Sequence, residues 1–252
     1  MNSGNILYIH DKNHFKYEIR HSCIRCASRY VELACSGTMI LHRQSGLKTG
    51  IIDLSRGEMG TRGSVAIRET EALKASEILG LSVRENLNLP DGFIQNDKES
   101  RLAIVRMIRE FRPEIILCNA ISDRHPDHGS SSKLVSDSVF LAGLPKIITE
   151  GRNAEVQTEW KVTKVYHYIQ DRYIRPDFVI DVSPVWSKRM EAVMAFSSQF
   201  YNPDSAEPST AISSKEFIDF LSARAQEFGR QAGFQYAEGF TVERTPGLKS
   251  FA

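Results

Sequence analysis

Between residues 31 and 143, short apolar runs alternate with longer segments whose apolar residues fall on one side. Residues 48–54 read as a strand centred on Ile51 and Ile52, 86–89 as a short strand closed by Pro90-Asp91-Gly92, and 115–118 as a buried strand bounded by Pro113. Between them lie amphipathic stretches that read as helices. Residues 31–44 are stopped by Gly46, and residues 66–79 by Gly80; residues 98–111 carry Leu102, Val105, Ile108 and Phe111 along one face, and 130–141 follow the third strand. Strand and helix in strict alternation leave few solutions. The expectation is an α/β domain with a mostly parallel, doubly wound sheet and helices on both faces.

The stretch 122–129, Ser-Asp-Arg-His-Pro-Asp-His-Gly, sits where the Ile115 strand ends and the next helix begins. Open α/β sheets place their ligand sites at such ends. His125, Asp127 and His128 put a metal-capable imidazole, a proton carrier and a carboxylate into one turn. The bland alternative is a polar loop whose aspartate caps the following helix.

After Gly143 the pattern loosens. Residues 162–169 and 178–181 read as strands, and Ser183-Pro184 opens a helix through Met190 and Met194 to about Phe200. Residues 214–230 read as a last long helix, 233–240 as a final strand or extended segment, and 244–252 as a tail. At 252 residues and a net charge of +1, without a long charge run, the chain suggests neither a nucleic-acid nor a membrane partner. No apolar stretch is of transmembrane length and no signal-like segment opens the chain. Four cysteines make no disulfide scaffold, so a reducing cytoplasm is expected; Cys23 and Cys26 form a lone Cys-x-x-Cys with no second pair. No Gly-x-Ser-x-Gly elbow supports a serine hydrolase.

Four stretches together resemble a known family. They are Ile52-Asp53-Leu54-Ser55-Arg56-Gly57-Glu58-Met59-Gly60-Thr61-Arg62-Gly63, Leu87-Asn88-Leu89-Pro90-Asp91-Gly92, Arg124-His125-Pro126-Asp127-His128 and Tyr236-Ala237-Glu238-Gly239-Phe240. In this order and spacing they are similar to the LmbE/PIG-L family of zinc-dependent N-acetylglucosamine deacetylases, nearest the bacillithiol-biosynthesis branch. The resemblance spans about residues 31–243. It implies a Rossmann-like fold, one zinc ion and hydrolysis of the N-acetyl group of an N-acetylglucosamine conjugate, in this branch N-acetylglucosaminyl malate. It also implies His128 as a zinc ligand, and His125 as the group that protonates the leaving amine or stabilises the tetrahedral intermediate. Asp127 would orient and tune His125. Arg68 would hold the malate carboxylates by a bidentate contact, and Glu58 would bond sugar hydroxyls. The partner implied is a small sugar conjugate, with self-association into a homo-oligomer left open.

Residues 1–30 depart from this pattern: they are rich in His, Asn, Arg and Tyr and lack a clean period. The family's first motif, Ala-His-Pro-Asp-Asp-Val-Glu, supplies two further zinc ligands and the general base. Here Val31-Glu32 are in register, but Cys26-Ala27-Ser28-Arg29-Tyr30 stand before them. Ala27 and Tyr30 take the ligand positions and Arg29 the base position, so zinc is expected to be weak or absent and activity doubtful. A shifted reading frame is one account of this. Residues 21–30 can be encoded as CAT TCT TGC ATT CGG TGC GCA TCC AGA TAT. With the first base dropped and one G restored, this becomes Ile-Leu-Ala-Phe-Gly-Ala-His-Pro-Asp-Asp. On that account residues 17–26 fill the first-strand position poorly and are irregular. Two classes of function stand side by side: a deacetylase that has lost one motif, and a non-catalytic relative that binds a sugar conjugate or a protein.

Overall fold

The computed structural model describes residues 31–247 and, for 22–27, the backbone. Seven strands form one sheet: β1 Ser22–Ala27, β2 Lys48–Asp53, β3 Val83–Asn86, β4 Ile115–Cys118, β5 Lys164–Tyr168, β6 Phe178–Asp181 and β7 Ala237–Val242. Their spatial order is β3-β2-β1-β4-β5-β7-β6. The first five in space are parallel, and β7 runs antiparallel to both β5 and β6. The six α-helices among the described residues are α1 Glu32–Gln44, α2 Val65–Leu79, α3 Lys98–Phe111, α4 Pro126–Ala142, α5 Trp186–Met194 and α6 Lys215–Ala232. The expected α/β fold is present.

Two cores flank the sheet. Ile52, Ile104, Val105, Ile108, Ile116, Leu134 and Val135 pack α3 and α4 against one face. Met39, Ile40, Ile51, Leu117, Tyr168 and Phe240 close the other under α1 and α5. β2 and β4 supply both cores in alternation, since successive strand side chains point to opposite faces.

Several boundaries differ from the sequence reading. The strand expected at 86–89 lies at Val83–Asn86 instead. Asn88 takes a φ of 54°, and its N–H donates to Asn86 Oδ1 at 2.8 Å, a local turn that ends strand geometry. The helix expected at 130–141 begins at Pro126. The helix expected to reach Phe200 stops at Met194, because Glu71 draws the following turn away. Its carboxylate accepts from Ser198 N at 2.6 Å, Ser198 Oγ at 2.8 Å and Ser197 Oγ at 3.2 Å.

The expected irregularity of residues 17–26 does not hold for Ser22–Ala27. These form a strand in the interior of the sheet, in parallel register with β2 (Ser22 opposite Lys48, Ala27 opposite Asp53) and with β4 (Cys23 opposite Ile115). Parallel pairing is made by backbone N–H and C=O groups, which this sequence supplies as any other does. Residues 17–21 and 28–30 lie outside the described residues.

Candidate functional site

The site forms beyond the carboxyl end of β4. His125 is the N-cap of α4 in extended geometry (φ −82°, ψ 128°), and Pro126 follows at the first helical position. The cap is made by the imidazole: His125 Nδ1 accepts from the backbone N–H of Asp127 at 3.2 Å. Nδ1 therefore carries the lone pair, and the single proton of the neutral ring sits on Nε2. Burial, and then the neighbouring His128, push the His125 pKa below the ordinary 6.5, while Asp127 and Asp91 act against them.

Asp127 is 2 % exposed, and its carboxylate does not reach the His125 ring by a hydrogen bond. It accepts from Gly92 N at 2.7 Å and Ile94 N at 3.3 Å. Asp127 thus pins the 90–94 turn over the start of α4, where a negative charge also suits the helix dipole. Its link to His125 is through its own backbone N–H.

His128 lies one turn into the helix. Its Nδ1 donates to Asp123 Oδ2 at 2.5 Å, while Asp123 Oδ1 accepts from Arg172 N at 2.8 Å and Asp171 N at 3.2 Å. Burial would raise the Asp123 carboxyl, but the bonds from His128 and Arg172 override it and hold the pKa down to about 2. An ionised aspartate on Nδ1–H leaves His128 Nε2 as an acceptor. The two imidazoles stand 5.2 Å apart, tilted by 31°. Sequence reasoning gave Asp123 no role; its position five residues before His128 carries no local signal.

Both histidines line a cavity of about 270 Å³. Its other walls come from the 57–62 loop with Arg68, from Gln170 and Asp171 after β5, and from Phe217, Leu221 and Arg224 on α6. The structure brings Arg68 to the cavity wall, 3 % exposed. It can sit there because residue 60 is glycine: a Cβ at Gly60 would lie 2.0 Å from Arg68 Nη1. Glu58 is placed differently. Its carboxylate accepts from Asp91 N at 2.9 Å, and Asp91 in turn accepts from Ser55 Oγ at 3.1 Å and Met59 N at 3.0 Å, so Glu58 helps clasp the loop to the 90–92 turn.

A catalytic zinc ion takes three protein ligands and an open position. Among the described residues no group of three His, Cys, Asp or Glu side chains is placed to hold a metal. Of the three positions that the resemblance implies as ligands, His128 keeps Nε2 clear of its bond to Asp123, residue 27 is alanine, and Tyr30 lies outside the described residues. The described residues alone therefore do not make up a zinc site, and the chemistry below is derived without one.

Comparison with known proteins agrees with this architecture. The PIG-L family model, GlcNAc-PI de-N-acetylase, matches residues 31–139. The conserved protein TT1542 from Thermus thermophilus superposes with a TM-score of 0.79 at 32% identity, over 92% of this chain and 98% of that one. Diacetylchitobiose deacetylase of Thermococcus kodakarensis is 28% identical over 86% of this chain and 79% of its own length. The 4-oxalmesaconate hydratase of Pseudomonas putida is 26% identical over 65% of this chain and 67% of its own length. The family match begins at Val31, just after the segment that departs from the family's first motif, and runs through His125 and His128 into α4. The chain belongs to the PIG-L family.

Proposed function

We propose that the cavity binds an N-acetylated amino-sugar conjugate, N-acetylglucosaminyl malate being the first to try, and that the site is built to hydrolyse its N-acetyl amide. The observation that supports this reading is the fixed tautomer of His125. Its Nδ1 is committed to Asp127 N–H, so the ring proton sits on Nε2, and the ring lines the cavity. A neutral donor of this kind stabilises the oxygen of an acetamide as it becomes tetrahedral. Of the two roles expected for His125, this geometry favours oxyanion stabilisation over delivery of a proton to the amine. His128 lines the same cavity, and its Nε2, clear of the bond to Asp123, can accept a proton. Arg68 lies on the cavity wall, where it can take a carboxylate of the conjugate.

Turnover by the chain as it stands is slow in this proposal, because Arg29 occupies the base position. Loss of a general base commonly costs about 10²–10⁴ in rate. The second reading, a binding module without turnover, rests on the same residue and differs only in degree.

The test compares the chain with a variant carrying Cys26→Ala, Ala27→His, Ser28→Pro, Arg29→Asp and Tyr30→Asp. Zinc content and amine release from N-acetylglucosaminyl malate are measured on both. The variant should gain stoichiometric zinc and at least about 10² in rate. Within it, His128→Ala should abolish zinc binding, whereas His125→Ala should spare the metal and lower turnover. Stoichiometric zinc and equal turnover in the unaltered chain would overturn the ligand assignment. A folded but inactive variant would overturn the substrate.

A further inference from the structure

The charge on the cavity wall is out of balance. Four arginines line it: Arg62, Arg68, Arg124 and Arg224. Arg124 is paired with Asp171 at 2.9 Å. Asp91, the other lining carboxylate, accepts from Ser55, Met59 and no arginine. Arg62, Arg68 and Arg224 are 4 %, 3 % and 8 % exposed, and none of the three forms an ion pair among the described residues. Arg62 Nε and Arg68 Nε are buried without any hydrogen-bond partner there.

Arg224 is the sharpest case. It and Arg189 both donate to the carbonyl of Leu33, at 2.8 and 2.6 Å. Glu238 lies 3.6 Å from Arg189 Nε and is otherwise committed to Gly37 and Thr38. Of the two buried guanidinium groups only Arg189 has a carboxylate within ion-pair distance; Arg224, which lines the cavity, has Asp171, Asp123 and Glu238 near enough to favour its charge but is paired with none of them. Burial, and then the like charge of Arg189, push the Arg224 pKa down to about 10, so it still carries its charge at neutral pH. A guanidinium withdrawn from water without a counter-ion is costly, and its planar fork matches carboxylate and phosphate oxygens.

We infer that Arg224 and Arg62 receive a second negative charge of the ligand, beyond the one assigned to Arg68, so that the cavity selects a sugar conjugate carrying two negative charges. The sugar part of this inference rests on the proposed function. The charge part stands on the unpaired arginines. Two carboxylates or one phosphate monoester would satisfy it equally.

Calorimetric titration of the full chain separates these sources without requiring turnover. The probes are N-acetylglucosaminyl malate, N-acetylglucosamine 1-phosphate and the neutral methyl N-acetylglucosaminide. The two dianions should bind at least about tenfold more tightly than the neutral sugar, and only their affinity should fall as salt is raised. The tighter of the two identifies the anion. Arg224→Gln should weaken the dianions about tenfold and leave the neutral sugar unchanged, with Arg224→Lys recovering part of the loss. Because Arg224 also bonds Leu33, a melting curve accompanies each variant. Should Arg224→Gln not fold, Arg62→Gln, whose side chain reaches only Ser205, decides the matter. Equal affinity for all three probes overturns the inference. So does an equal loss across them in a folded variant, or an undiminished dianion affinity. Failure of the proposed function looks different: malate or inorganic phosphate alone would bind as tightly as the sugar conjugates.

Discussion

Arg84 should be the most sensitive position beneath the site. It stands on β3 and reaches across to α1 and β2. Its Nη1 donates to Glu32 at 2.8 Å, Nε to Asp53 at 2.7 Å and Nη2 to Asp53 at 3.2 Å, with a further bond from Nη1 to the carbonyl of Ala72 at 3.2 Å. The Glu32 side chain is fully buried, and those of Arg84 and Asp53 are each 10 % exposed. Burial alone would lower the Arg84 pKa, but Asp53 and Glu32 raise it. Arg84→Met keeps much of the stem and removes the cation. Stranding a buried charge costs about 3–5 kcal/mol. Two acids are stranded here, but Asp53 keeps some contact with water, so a loss of about 4 kcal/mol is expected. At about 2–4 °C per kcal/mol for a chain of this size, Tm should fall by roughly 8–16 °C.

The assay is urea denaturation at pH 7.5. Adding Glu32→Gln to Arg84→Met should recover part of the loss. A variant as stable as the parent, or no recovery on adding Glu32→Gln, would refute the reasoning.

Two further outcomes follow from the site. Gly60→Ala should lower affinity for the anionic conjugate about tenfold with a smaller effect on Tm, as the new methyl group would lie 2.0 Å from the Arg68 guanidinium and 3.2 Å from the Gly57 carbonyl, and the flexible side chain gives way first; titration and a melting curve check this, and unchanged affinity would count against the Arg68 assignment. His125 is held neutral in the fold, so the stability it contributes is present above 6.5 and lost as pH falls through its lower folded value. Urea denaturation against pH checks this, and the acid limb should move to lower pH in Asp127→Asn, which removes a carboxylate that raises the His125 pKa; a limb that does not move would count against the assignment.

Much of the fold was legible because it is written in local pattern. The α3 helix and the β4 and β6 strands lie where periodicity and Pro113 place them, and Gly80 in a left-handed conformation ends α2 as expected. The misplacements have tertiary causes. Asn88 turns out of the strand on its own side-chain bond to Asn86, and Glu71 shortens α5 from another helix. The α4 start was read late because histidine is an unusual cap, and its ring accepts the N–H that Ser or Asp would normally take. The site divides in the same way. His125 and His128 announce themselves within one turn of sequence. Asp123 is recognisable only once the Asp171–Arg172 turn is folded against it, and Arg224 only once α6 is docked beside Leu33.

The connections of that site explain how one motif can depart from the family while the rest stays in place. His128 is set by Asp123, Asp123 by the backbone at Asp171 and Arg172, His125 by the backbone of Asp127, and Asp127 by Gly92 and Ile94. None of these bonds uses a residue before Val31. The arginine wall depends on Gly60, Ser205 and Leu33, again within the stretch after residue 30. Of the segment before Val31, Ser22–Ala27 contribute a central strand, and strand pairing asks only for backbone groups. Changing Cys26–Tyr30 is therefore expected to leave the imidazole pair and the anion wall in place. Ligand affinity and turnover should accordingly separate. The five-substitution variant is expected to change zinc content and rate by orders of magnitude while its affinity for a dianionic conjugate, measured with the metal removed, stays within about threefold of the unaltered chain.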